Sequence, residues 1–145
     1  MEHSLAFYIT LLHKDFSSYV AKELKQIGVS FGQLPFLIYV GKHPGCTPSE
    51  VTKALLTDWG HSQRTITKLT EDGFLRKERS RPTSRVCHLF LTESGENAFR
   101  LGHEVFYAWD RAYLDGISED ELDRVKELLA RIAARGRSPM EGELL

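Results

Sequence analysis

At 145 residues and a net charge of −1, the chain is sized for one domain, or one small domain with an added arm, and its total charge gives no sign of a polyanion-binding protein. Its 41% apolar content permits a sizeable core, while no apolar run approaches the ~20 residues that a bilayer requires. Cys46 and Cys87 make no disulfide framework, and the first residues lack the basic-then-apolar pattern of a secretory signal. A cytoplasmic protein with reduced thiols and no membrane partner is the expectation.

The charge average hides a contrast. Between Ser62 and Arg85 there are seven cations (Arg64, Lys68, Arg76, Lys77, Arg79, Arg81, Arg85) against three acids, a local net of +4. Between Asp115 and Glu127, six acids face two cations, a net of −4. Local sign, not the total, steers a charged partner.

Apolar residues at Leu5, Ile9, Leu12, Phe16, Val20, Leu24 and Ile27 recur in steps of three and four, which predicts one long helix stopped by Gly28. A second helix is expected from about Phe31 to Lys42, with Pro35 in its first turn. "TPSEVTKALL" then reads as a capping box: Thr47 as N-cap, Pro48 at the first helical position, Glu50 three after the cap. Thr57 and Asp58 make a tight turn, and Asp58 can cap a helix running to about Asp72, closed by Gly73. That helix has few apolar positions (Trp59 near its start, then Ile66 and Leu69), so it buries a narrow stripe and offers a wide polar face.

A short strand at Phe74–Glu78 and a half-buried strand through Cys87, Leu89 and Leu91 flank the break at Pro82, Thr83 and Ser84. A helix from near Thr92 carries Phe99, Phe106, Trp109 and Tyr113 along one side and stops at Gly116. "SEDE" at Ser118–Glu121 opens a last helix striped by Leu122, Val125, Leu129 and Ile132. "GRSPMEGELL" reads as a frayed tail.

A capped short helix, a tight turn, a polar-faced helix and a basic hairpin together describe a winged helix-turn-helix. The second helix of such a motif can enter a major groove, where Arg, Gln and Ser side chains meet base edges, and the hairpin can lay Arg side chains along the backbone or into the minor groove. The candidate DNA-contacting residues are His61, Ser62, Gln63, Arg64, Thr67 and Lys68 on the helix and Arg79, Arg81 and Arg85 on the wing. The other reading of the fold is a winged helix that holds proteins together without reading DNA.

The same residues resemble the MarR family of bacterial transcription regulators, in element order and spacing over nearly the whole chain. The strongest part is "TPSEVTKALLTDWGHSQRTITKLTEDGFLRKERS", then a wing, then "LFLTESG". Arg64 takes the place of the family's recognition Arg and Gln63 that of the Thr before it. Gly73, Phe74 and Leu75 stand for its Gly and apolar pair, and Leu91, Thr92 and Gly95 for the end of the pattern. The wing departs: Thr83, Ser84 and Arg85 stand where the family carries Asp-Arg-Arg, and Arg79 and Arg81 are the cations that could substitute.

The resemblance implies a mainly α fold with a small β-hairpin wing. Residues 29–91 would form the winged helix-turn-helix, residues 1–28 and 92–136 the helices of a homodimer, and 137–145 a flexible tail. It implies a repressor on a pseudo-palindromic double-stranded DNA operator, responsive to a small aromatic or phenolic effector held between the dimerisation helices and the winged region. His13, Phe16, Phe36, Tyr39 and Tyr107 are the aromatic or amphipathic candidates for that pocket. No set of four His and Cys has structural zinc spacing, so no metal is expected. No nucleophile–base pair, phosphate loop or carboxylate pair appears, so neither catalysis nor a cofactor is expected. Cys46 precedes a capped helix, whose dipole could lower its thiol pKa.

Overall fold

A computed structural model describes residues 3–136. The expected flexible tail, 137–145, lies outside the described residues. Six helices and one hairpin follow in the order α1 (Leu5–Lys25), α2 (Leu34–Lys42), α3 (Pro48–Ala54), α4 (Trp59–Glu71), β1 (Leu75–Arg79), β2 (Cys87–Leu91), α5 (Glu93–Tyr113) and α6 (Glu119–Arg135).

The local signals act where the sequence puts them. Thr47 and Ser118 both complete capping boxes, each hydroxyl accepting from the N–H three residues on while Glu50 or Glu121 accepts from the cap's own N–H. Asp58 caps α4 and Thr92 caps α5 in the same way, without the reciprocal bond. Gly28, Gly73 and Gly116 end α1, α4 and α5 in the left-handed region. The second helix starts later than its pattern suggests. Residues 31–33 form a turn, closed by mutual hydrogen bonds between Ser30 and Gln33, and Pro35 then falls in the first helical turn.

α2 is the centre of the molecule. Leu34, Phe36, Leu37, Ile38 and Val40 are all buried, which leaves it no solvent face to speak of. It packs on α5, α3 and β2. Against α5 the approach is close enough to require glycine twice. A Cβ on Gly102 would come within 2.6 Å of Leu34 Cδ1, and one on Gly41 within 2.5 Å of Phe99 Cδ2.

β1 and β2 pair antiparallel, from Leu75 opposite Leu91 to Arg79 opposite Cys87. Leu89 is fully buried. The loop before α3 joins the root of this hairpin: Leu89 donates to the Cys46 carbonyl and Gly45 donates to that of Leu89, each at 2.8 Å. His88 Nδ1 adds a bond to the Gly45 carbonyl at 2.9 Å.

Two apolar surfaces are left uncovered among the described residues. Only the second half of α1 reaches the core, through Val20 and Leu24, while Leu5, Ile9 and Leu12 are about half exposed. No residue of α6 is buried, and Val125, Leu128, Leu129 and Ile132 are 44–53% exposed.

The start of α5 is locked to the end of α4. Thr92 donates its N–H to the Phe74 carbonyl at 3.1 Å, and a Cβ on Gly95 would stand 2.1 Å from that carbonyl oxygen. Gly95→Ala is therefore expected to cost about 3 kcal/mol or more by overpacking against backbone that cannot swing aside. Urea unfolding of the two proteins measures this directly; an unchanged midpoint would mean that α5 does not sit so close to Phe74.

Candidate nucleic-acid interface

α4 presents its polar side as a supported surface. At its start, the Asp58 carboxylate accepts from the His61 N–H at 2.9 Å. That bond holds the Asp58 carboxyl below its usual range, and the nearby Arg64 charge pulls the same way. Its buried stripe is Ser62, Thr65, Ile66 and Leu69. His61, Arg64, Thr67 and Lys68 are exposed and Gln63 is half-buried.

Ser62 does not belong with the others. It is 0% exposed, and its hydroxyl is hydrogen-bonded to that of Thr52 at 2.6 Å. It joins α3 to α4 and has no path to a base edge. A hydroxyl counted as polar surface in the sequence is here a buried joint, because a small Ser lets the two helices approach while its hydroxyl stays hydrogen-bonded.

The remaining side chains are available to different degrees. The Arg64 guanidinium lies back over Gly60, where an added Cβ would stand 3.2 Å from Nη1 and 3.3 Å from Asp58 Oδ1. Neither Glu71 nor Asp72 engages it. Asp72 is instead paired with Lys68 at 3.0 Å, an exposed i,i+4 contact of little energetic weight. His61 packs edge-on against buried Phe36 at 6.1 Å. The Gln63 amide nitrogen is enclosed yet has no hydrogen-bond partner, so its donors are not consumed inside the chain. On the wing, Arg79, Arg81 and Arg85 are exposed and none forms an ion pair among the described residues. Arg76 is held instead, by Glu78 and over the Phe90 ring at 4.5 Å. The free cations thus stand at the tip and the engaged one at the base.

The five residues considered for an effector pocket do not converge. Phe16 lies among Phe106, Trp109 and Phe31, with ring centroids 5.1, 5.4 and 6.1 Å away, and His13 meets Phe31 at 6.4 Å. Phe36 is in the core beside His61, Tyr39 packs on His43 at 4.4 Å, and Tyr107 is 60% exposed. Aromatic character marked all five, but helix phase sends them to different neighbours. Phe31, in the turn before α2, is the cluster member that the sequence pattern did not suggest. Trp109 brings a buried indole N–H without a partner into the same cluster.

The model of the MarR family matches residues 27–85, which span the turn before α2 to the wing tip. The HTH-type transcriptional regulator BilQ of Clostridium symbiosum (strain WAL-14163) is 36% identical over 132 residues, covering 91% of this chain and 92% of that protein. The chain belongs to the MarR family. Streptococcus pneumoniae FabT, in a crystal structure in complex with DNA, is 27% identical with a TM-score of 0.75, covering 90% of this chain and 93% of that one. The transcriptional regulator SlyA shares the fold at a TM-score of 0.79 and 21% identity, over 92% of this chain and 94% of its own. The family and these relatives are transcriptional regulators, not enzymes. No helix among the described residues is long and apolar enough to cross a membrane, and none of their His, Cys, Asp and Glu residues cluster in threes that could hold a metal ion.

For this MarR protein the expectation about Cys46 is reversed. The thiol precedes α3, but it is buried, and desolvation together with the Glu50 charge pushes its pKa from 9.0 up to about 11. The two or so pKa units mean about a hundredfold less thiolate at pH 8. In a Cys87→Ser variant, iodoacetamide should therefore label Cys46 about a hundred times more slowly than a free thiol, and unfolding in urea should abolish the difference. Rapid labelling of the folded variant would show that the helix dipole wins over burial.

Proposed function

We propose that this MarR-family regulator binds a pseudo-palindromic operator as a homodimer and represses by occlusion, with one α4 in each of two successive major grooves and the wings on the flanking backbone. Arg64 takes the central base contact. Gln63 and Thr67 read beside it, His61 and Lys68 flank it, and Arg79, Arg81 and Arg85 supply attraction to phosphate. The single observation that carries this reading is the joint arrangement of α4 and the wing. A helix fixed at both ends turns an unburied polar face outward, and the three cations at the hairpin tip have no partner among the described residues. Two-fold symmetry then requires half-sites about one helical turn apart, roughly 10 base pairs. The relative crystallised in complex with DNA adds support from outside the chain.

The dimer rests on the two unpartnered apolar surfaces, the first half of α1 and the length of α6. Residues 1–28 and 92–136 form the dimerisation region in this reading, and 29–91 the DNA-binding region. Phe16 belongs to the intrachain aromatic cluster, so the α1 contribution is Leu5, Ile9 and Leu12. An effector of small aromatic or phenolic type fits best beside His13 and Phe16, where Trp109 has a donor to spare. Phe36, Tyr39 and Tyr107 are too dispersed to complete that same pocket.

Gel-shift or anisotropy measurements on genomic DNA flanking the protein's own gene test the DNA reading against a protein-interaction module. Arg64→Ala should cost ~1–3 kcal/mol on the preferred site and relax preference at one position per half-site. Equal weakening on specific and random duplexes would assign Arg64 to a phosphate. For the dimer, Ile9→Asp or Val125→Asp should place an unpaired charge in the interface. Sedimentation should then show monomer or unfolded chain, and a folded dimer that survives both changes would move the interface elsewhere.

A further inference from the structure

The protein's two tryptophans are used in opposite ways. Trp109 is enclosed, edge-on to Phe16 at 5.4 Å and stacked on Tyr113 at 5.0 Å. Trp59, the first residue of α4, is 56% exposed and makes no ring contact or hydrogen bond among the described residues. It does not stand alone. Leu56, in the turn just before, is 64% exposed, and the two line an open groove with Ser49, Thr52, Lys53 and Thr57.

Leu56 is also the one non-glycine residue with positive φ, +48°, among the described residues. The left-handed region favours glycine, and a leucine so exposed gives little back to the core. Its apolar side chain serves the groove rather than the fold. Single exposed apolar residues are ordinary on protein surfaces. A contiguous pair, one of them on strained backbone, at the tip of the helix that reads DNA, is not.

The charges around the groove suit the backbone of DNA. Lys53 lies in its wall with no ion pair among the described residues. The carboxylates of Glu50 and Asp58, on the same two helix starts, accept from the backbone N–H groups of Thr47 and His61. At 100° per residue, Trp59, Gln63 and Thr67 follow one edge of the exposed face of α4, with Arg64 along its middle. If α4 enters the major groove by its N-terminal end, Trp59 arrives with it. In that groove the thymine 5-methyl is the one apolar group that a base pair displays.

We propose that Trp59 is a specificity-determining residue. Its indole, backed by Leu56, packs on a thymine 5-methyl in each half-site, while Lys53 takes an adjoining phosphate. This inference rests on the reading of α4 as the DNA-contacting helix.

The probe is the duplex that the wild-type protein enriches from a random double-stranded library. Each thymine of one half-site is replaced singly by uracil, which removes only the methyl, and affinity is read by fluorescence anisotropy for the wild type, Trp59→Phe and Trp59→Ala. Burying one methyl is worth about fourfold in affinity. The wild type should lose about that factor at one thymine, Trp59→Phe should keep most of the sensitivity, and Trp59→Ala should bind more weakly and be indifferent to that uracil. Thermal unfolding of Trp59→Ala should match the wild type, because the ring is exposed. Uniform weakening of Trp59→Ala with the wild-type uracil profile retained would put the ring on the sugar–phosphate backbone and overturn the proposal. Unchanged affinity of Trp59→Ala would leave the groove to some other partner and overturn it too. If the wild type enriches no sequence at all, the DNA reading itself fails, an outcome distinct from both.

Discussion

The fold depends on the burial of α2. Nine residues of which five are buried cannot exist as a helix in water, so α2 is stable only when α5, α3 and β2 close around it. Each fully buried Leu or Ile contributes roughly 2 kcal/mol of transfer free energy, and Leu34, Leu37 and Ile38 are all in that class. The position of α4 follows from this. α3 leans on α2, and the buried Thr52–Ser62 hydroxyl pair ties α4 to α3. The wing follows as well, since β2 packs on α2 and its root is bonded to the loop that leaves α2. The surface assigned to DNA is therefore carried by an apolar helix, whose Phe36 also meets His61 directly.

Polar chemistry sets the details that burial leaves open. The caps of α3, α4, α5 and α6 satisfy donors that would otherwise be orphaned at each helix start. The capping carboxylates of Glu50, Asp58 and Glu121 are all held below their ordinary pKa by the N–H groups they accept from. They therefore stay ionised, and Asp58 is held down further by the nearby Arg64 charge. The electrostatic segregation of the sequence survives folding in the same spirit. Acids cluster in the first turn of α6, where they suit the helix dipole, while the cations of the hairpin tip form no ion pair among the described residues.

How much could be read in the sequence depended on whether the cause was local. Capping boxes, glycine stops and the order of elements were legible, because a few neighbouring residues determine each of them. The start of α2 was misplaced by three residues, since Ser30 and Gln33 satisfy one another in a turn that an apolar pattern does not register. Ser62 and Thr65 were legible as polar but not as buried. A stripe completed by hydroxyls looks like surface until α3 is in place, and Thr65 hides its proton in its own helix, on the His61 carbonyl. Cys46 failed for the same reason: proximity to a helix start is a sequence property, but desolvation is a tertiary one. The aromatic cluster around Phe16 was half legible. Phe16, Phe106 and Trp109 carry helical spacing, whereas Phe31 reaches them from a turn.

α1 and α5 show how such a molecule can transmit a change. α1 is one unbroken helix of 21 residues whose second half is set in the core by Val20 and Leu24 while Leu5, Ile9 and Leu12 of its first half are about half exposed. Where the two regimes meet, its Phe16 enters the aromatic cluster on α5. α5 in turn is held against α2 at Gly102 and Gly41, too tightly to slide by small amounts without a clash. α1 thus meets α5 through an aromatic cluster, Phe16 with Phe106 and Trp109, with Phe31 beside them. If the chain pairs through the first half of α1 and α6, as proposed above, a rotation at that cluster would change the separation of the two α4 helices. A ligand can use such a rotation only to the extent that it binds the two arrangements unequally. In the proposed regulation this cluster is the candidate for such a difference, because it combines aromatic faces with an indole donor that has no partner among the described residues.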